Sequence, residues 1–177
     1  MARSVIILDM ELRPATIEDA DALAETVAQG FDSFRAWAPA GWTPPSRLHE
    51  AALIRDGLAW PSTWALLAID DGRVAGHVSF TQARERAEPR PDIPGLAHLW
   101  QLFVRRSWWG SGLAAELTRL AVAEAAHRGY GAMRLHTPCG NARARAFYER
   151  EGWETDGVAV PEPMLGVDLV QYRRTLA

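Results

Sequence analysis

Two spacings of apolar residues alternate along the chain, and their order sets out the elements. After Thr16 and the acidic turn Ile17-Glu18-Asp19, the residues Ala20, Leu23, Ala24 and Val27 recur at helical spacing, with Gly30 as a stop. The stretch from Phe31 to Pro45, rich in aromatics and proline, reads as an irregular connection. Ser46 then caps a shorter helix ending near Gly57. Trp64 to Ile69 is apolar on both faces, as a central strand requires, and Asp70-Asp71-Gly72 turns it into a second strand. In that strand Val74, Gly76, Val78 and Phe80 alternate with Ala75, His77, Ser79 and Thr81.

A charged loop, Arg84 to Pro94, leads to a strand from Leu96 to Val104. A helix follows from Gly110, with Leu113, Leu117 and Leu120 on one face and a stop at Gly129. Ala132 to Thr137 predicts a short strand, Asn141 to Glu151 a helix, and Trp153 to Val158 with Gly166 to Leu176 a final strand pair. The last of these reads as a charged sheet edge or a strand that pairs with a second copy. Early helices, an antiparallel meander and a later β-α-β crossover give a mixed α/β (α+β) sheet holding one parallel pair.

Composition narrows the function classes. The chain has 177 residues, 48% of them hydrophobic, which suits a single domain spanning residues 1–177. Residues 1–9 read as an extension or a lengthened first strand. A net charge of -3 supplies no basic field, so nucleic acid is not an expected partner. Cys139 is the only cysteine, consistent with a reducing, cytoplasmic setting, and the apolar run at the N-terminus is too short to span a membrane. The five histidines are scattered without ligand spacing, so no metal is expected.

The chemistry concentrates at Val104-Arg-Arg-Ser-Trp108-Trp109-Gly110-Ser111-Gly112-Leu113-Ala114, where a strand turns into a helix. Amides at a helix start lack partners and carry the positive end of the dipole, so glycines there let a phosphate approach the main chain. Arg105 and Arg106 favour such a use, or form a solvated rim. A Gly-Lys-Ser/Thr loop is absent, and the strand before the turn is not the first of a Rossmann series.

These residues resemble the GNAT superfamily of acyl-CoA-dependent N-acetyltransferases. Leu12-Arg-Pro-Ala-Thr16 with Asp19-Ala20 looks like the family's first strand and helix start. Trp109 to Ala114 resembles its Q/R-x-x-G-x-G/A signature, with Trp109 in place of the usual Gln or Arg. The segment Asn141-Ala-Arg-Ala-Arg-Ala-Phe147-Tyr148-Glu-Arg-Glu-Gly152-Trp153 is similar to its N-x-x-A-x-x-F-Y-x-x-x-G-F element. The resemblance implies the GNAT fold: a mostly antiparallel sheet of about seven strands, its central parallel pair splayed for CoA, flanked by about four helices. It also implies acetyl-CoA as acyl donor. The amides of Gly110, Ser111, Gly112, Leu113, Ala114 and Ala115 would hold the pyrophosphate, while Leu102 and Val104 pair with the pantetheine arm. Tyr148 would be the general acid, against the alternative that it packs with Ala144 and Phe147. Asn141 would cap its helix, bond pantetheine, or both. A main-chain N–H near Leu102 or Phe103 would polarise the thioester carbonyl.

Transfer to an amine also needs a route for the amine's proton. Many relatives place an acid on the strand before the signature, but this chain has Trp100 and Gln101 there. His98, expected on one strand face with Trp100 and Leu102, is the candidate base. His77, His136 and a water chain are the alternatives. The acceptor pocket would draw on Phe31, Phe34, Trp37, Trp42 and Trp100, with Asp32 or Glu162 meeting a positive charge. Two functions follow: an N-acetyltransferase acting by direct attack of a small-molecule or exposed protein amine, or a non-catalytic acyl-CoA sensor or interaction module. Both are compatible with a monomer or a homodimer.

Overall fold

The computed structural model describes residues 10–86 and 89–176, so the expectation for residues 1–9 lies outside it. Strands β1 (Glu11–Pro14), β2 (Trp64–Asp70), β3 (Arg73–Arg84) and β4 (Asp92–Val104) form an antiparallel meander. β4 pairs in parallel with β5 (Ala132–Pro138). β5 is antiparallel to β7 (Val167–Thr175), and β7 to β6 (Ala159–Glu162). The sheet order is therefore β1-β2-β3-β4-β5-β7-β6. Four α-helices flank it: α1 (Ala20–Asp32), α2 (Arg47–Leu58), α3 (Leu113–His127) and α4 (Ala142–Arg150).

Each sheet face buries its own core. On one, Leu23, Val27 and Phe31 of α1 meet Ile54 of α2 and Leu67 of β2. On the other, Leu113 and Leu117 of α3 and Tyr148 of α4 meet Phe80, Leu99, Met133 and Tyr172. Because helices cover both faces of β3, its polar alternates His77, Ser79 and Thr81 are buried as well.

Several sequence expectations are corrected. α1 runs past Gly30, because this glycine is required by packing and does not stop the helix. A Cβ there would collide with Cδ1 of Phe103. The loop after β3 is shorter than expected, since Arg84 already faces Asp92 across the ladder. Trp153 to Val158 is not a strand: Glu154 makes a lone bridge to Arg173, and the side chains of Thr155 and Asp156 accept from the amides of Gly157 and Val158 in tight local turns. The strand that pairs with β7 starts at Ala159. β7 itself is interior, between β5 and β6, so β6 occupies the edge that had been expected for it.

β4 carries the feature that builds the site. Ser79 faces Gln101 while Phe80 faces Leu99, so Trp100 is an extra residue, a β-bulge. Cross-strand pairing puts His98 with Thr81, Gln101 with Ser79 and Phe103 with His77 on the α1/α2 face, and Leu102 with Val78 on the other. The bulge reverses the alternation, so Leu102 does not share a face with His98, contrary to the simple period of two.

Candidate active site

β4 and β5 are paired only at Leu96–Ala132, Ala97–Met133 and His98–Arg134. Beyond His98 the strands part, and this flank of β4 runs on to Val104 without a strand partner among the described residues. The Arg105 amide donates to the Ala75 carbonyl, which places the groups of alternate residues: those of Phe103 face β3, and those of Leu102 and Val104 face the gap. The gap is thus edged by main-chain donors and acceptors, as at a sheet edge that accepts an added strand.

At the end of the gap the chain makes a 3-10 turn at Arg106–Trp108 and enters α3 through Gly110 and Gly112, with φ of 77° and 95°. These values lie in the left-handed region that favours glycine. A Cβ at either would meet no protein atom within 4 Å, so neighbouring side chains do not fill the space above the turn. The Ser111 hydroxyl donates to the Trp108 carbonyl and accepts from the Leu113 amide, which fixes the turn from beneath. Ala114 and Ala115 lie in the first turn of α3, where amides have no intrahelical acceptor.

Trp109 ties the parts together. Its indole Nε1–H donates to the Val104 carbonyl at 2.8 Å, occupying one acceptor on the gap side of β4. Its ring lies under the guanidinium of Arg143, 3.4 Å from the centroid, with Arg106 at 5.6 Å. Two cations are thereby gathered beside the glycine turn, and burial together with Arg106 lowers the pKa of Arg143. Arg105 is used differently: its Nε donates to the Val74 carbonyl and its guanidinium pairs with Glu25 at 3.4 Å. Of the two arginines next to the turn in sequence, one is a latch to β3 and α1. Arg143 carries no mark in the sequence pattern; it is the fold that brings the start of α4 onto Trp109.

On α4, Asn141 accepts from the Ala144 amide and so caps the helix. Tyr148 is buried among Phe147, Trp153 and Tyr172, with ring centroids 5.2 to 5.9 Å away. Burial raises its phenol well above the ordinary value, keeping it protonated. No partner for its hydroxyl occurs among the described residues.

The family profile for the Acetyltransferase (GNAT) family matches residues 29–153. The chain belongs to the GNAT acetyltransferase family. No curated protein sequence matches it. Among solved structures, this GNAT chain is similar to an acetyltransferase from Thermus thermophilus, with TM-score 0.69 and 20% identity over 96% of this chain and 99% of that one. It is also similar to the PaiA N-acetyltransferase of Thermoplasma acidophilum in complex with coenzyme A, with TM-score 0.65 and 16% identity over 94% and 99%. A third is the ribosomal-protein-S18-alanine N-acetyltransferase of Escherichia coli, with TM-score 0.67 and 16% identity over 95% and 94%. At these identities the likeness establishes the shared fold.

The opposite face of the gap in this GNAT acetyltransferase is made of side chains. Phe31 and Phe34 are core residues in edge contact at 5.2 Å, and Phe31 also meets Phe103. Trp37 packs on Phe34 with the rings tilted by 42°, and lies against Gly140, just after β5, so closely that a Cβ there would be 2.5 Å from its ring. Trp42 donates to the Leu165 carbonyl in the β6–β7 turn. The connection between α1 and α2 therefore bridges from α1 to the far side of the gap. Trp100 packs on Gly57 of α2 and stacks with Trp60. Asp32 is exposed and pairs with Arg35, while Glu162 pairs with Arg86.

His98 and His136 face each other across the vertex where β4 and β5 part, with ring centroids 5.4 Å apart. Burial, followed by the charges of His136 and Arg134, pushes His98 down to about 3. Burial, then Arg134 and Arg86, takes His136 to about 4. His77, bonded to Gln101, is held at about 4 by burial. Glu50 is a further titratable group that its sequence did not flag: it is buried on the inner side of α2, and desolvation raises its carboxyl. Among the described residues, no group of three His, Cys, Asp or Glu side chains is disposed to hold a metal ion, and no helix is long and apolar enough to cross a membrane.

Proposed function

We propose that the chain transfers the acetyl group of acetyl-CoA to a primary amine by direct attack. The observation that carries this reading is the unpaired flank of β4 from Leu99 to Val104, which leads directly into the open Gly110-Ser111-Gly112 turn. An acyl-CoA fits these features: an extended amide-bearing arm suits the main-chain groups of Leu102 and the amide of Val104, and phosphates suit the amides of Gly112, Ala114 and Ala115, with Arg106 and Arg143 nearby, while those of Ser111 and Leu113 are engaged within the turn. Phe103 contributes its side chain to the acceptor wall, and its main chain is engaged with β3.

When bound, the donor supplies an activated acetyl group as a thioester. The attacking amine nitrogen forms the new C–N bond as the C–S bond breaks, and Tyr148, protonated and unpartnered, gives its proton to the departing sulfur. The Leu102 amide, on the gap side of β4 just past the bulge, polarises the carbonyl. Asn141 keeps its amide N–H groups free for the donor's arm while its oxygen caps α4. His98, near 3, is a far weaker base than an amine near ~10.4, so the amine's proton leaves through water to solvent. The acceptor side, lined by Trp37, Trp42 and Trp100, suits a small molecule better than a highly charged peptide tail.

The test is incubation with acetyl-CoA and a panel of amines, read by product mass. A product heavier by one acetyl group, dependent on the protein, is the expected result. Donor binding with no acetylated product from any amine would favour the non-catalytic module.

A further inference from the structure

The vertex where β4 and β5 part holds a cluster that the transfer chemistry above does not use. His98 and His136 meet across the vertex of the gap, and Arg134 is the direct strand partner of His98. Two of the cluster's polar atoms, Nδ1 of His98 and Nε of Arg134, are buried without a hydrogen-bond partner among the described residues. A buried N–H on a cationic group left without an acceptor is destabilising, and native proteins satisfy nearly all such groups. Arg134 is only partly provided for: one terminal nitrogen donates to the Arg84 carbonyl. Glu85 acts on it through space without a hydrogen bond. The nearby Arg86 is neutralised by Glu162 at 3.2 Å, a pair that joins the β3–β4 loop to the end of β6. Of the permanent cations that act on the two imidazoles, Arg86 is paired with Glu162, which leaves Arg134 as the one without a salt bridge among the described residues.

We propose that this cluster is the subsite for an anionic group, a carboxylate, on the acceptor amine. It rests on the acetyltransferase reading and names the acceptor class for that same site. Arg134 supplies the charge, and His98 and His136, as neutral imidazoles, supply N–H donors without adding a competing charge. Geometry sets the length of the acceptor. Leu102, where the acetyl group is delivered, lies four positions beyond His98, and a strand rises about 3.3 Å per residue with less at a bulge, so the two points are about 10 Å apart. The reach of the side chains shortens this, leaving room for an amine separated from its carboxylate by several bonds, as in an ω-amino acid or the side-chain acid of glutamate. An α-amine directly beside its only carboxylate is too short.

The test is a matched series: 5-aminopentanoate, 5-aminopentanamide, pentylamine and 1,5-diaminopentane, with glycine and L-glutamate, each scored for kcat/KM by product mass. The acid should exceed the amide and the amine by about tenfold or more, the effect of one charge-assisted contact. Arg134→Gln should bring that ratio near one, Arg134→Lys should keep most of it, and His136→Gln should reduce it partly. Acetyl-CoA titration of each variant should be unchanged. Equal or greater turnover of pentylamine or 1,5-diaminopentane overturns the subsite, as does a failure to acetylate any acid in the series by a protein that binds the donor. Loss of donor binding in the unaltered protein would instead strike the acetyltransferase reading beneath it.

Discussion

The two sides of the β4–β5 gap are made of different material. The side proposed for the donor is main chain and glycine: the flank of Leu102 and Val104, then Gly110 and Gly112 opening onto the first turn of α3. The side proposed for the acceptor is made of side chains: Trp37, Trp42 and Trp100, with His98 and His136 at the vertex. Recognition through main-chain groups, as proposed for the donor, depends on conformation more than on residue identity, and so tolerates Trp109 in the first place of the signature. Its indole N–H instead secures the Val104 carbonyl. Recognition through side chains depends on identity, so on the proposed reading acceptor preference belongs to the second side.

This contrast can be broken in four places, from the largest effect to the smallest. Gly112→Val should raise the Kd for acetyl-CoA by about a hundredfold or more in calorimetry, because the left-handed conformation costs a residue with a Cβ about 1–2 kcal/mol and that Cβ fills the donor's space. Tyr148→Phe should lower kcat about a hundredfold while leaving the donor Kd within about twofold, as expected of a proton donor. If both quantities fell together, Tyr148 would be a packing residue only.

Acid should weaken the folded state through the buried imidazoles. The folded value of His77 is about 4, below an ordinary 6.5, so the unfolded chain takes up the proton first and stability falls as pH drops from about 6.5 toward 4. At pH 5 the loss from His77 alone is roughly 2 kcal/mol, measurable by urea denaturation. His77→Gln, retaining a polar group at that position, should flatten part of this slope. The smallest effect belongs to Trp109→Phe, which keeps the ring under Arg143 but removes one hydrogen bond. A net loss near 1 kcal/mol predicts a rise of about fivefold in the donor's KM, with no change in preference among acceptors.

The same contrast explains what was legible in the sequence. The glycine turn, the Asn141 cap and the strand-helix order were readable because they follow from local conformation. The bulge at Trp100 was not, since an extra residue leaves no mark in an apolar run, and it is the bulge that moved Leu102 to the other face. Gly30 carried a helix-stop signal yet serves the close approach of Phe103, a contact between distant segments. Arg105 and Arg106 looked alike as neighbours of the turn, but one reaches β3 and α1 while the other covers Trp109. The meeting of His98 and His136 depends on two strands parting at one residue, and no spacing along the chain encodes it.

The most direct measurement of the central claim is calorimetric titration of the protein with acetyl-CoA and, alongside it, free CoA. Both should bind at micromolar concentration, with Trp37→Ala and Arg134→Gln leaving those affinities unchanged. Absence of binding, or a donor affinity lost with either acceptor-side variant, would contradict the division between a main-chain donor side and a side-chain acceptor side.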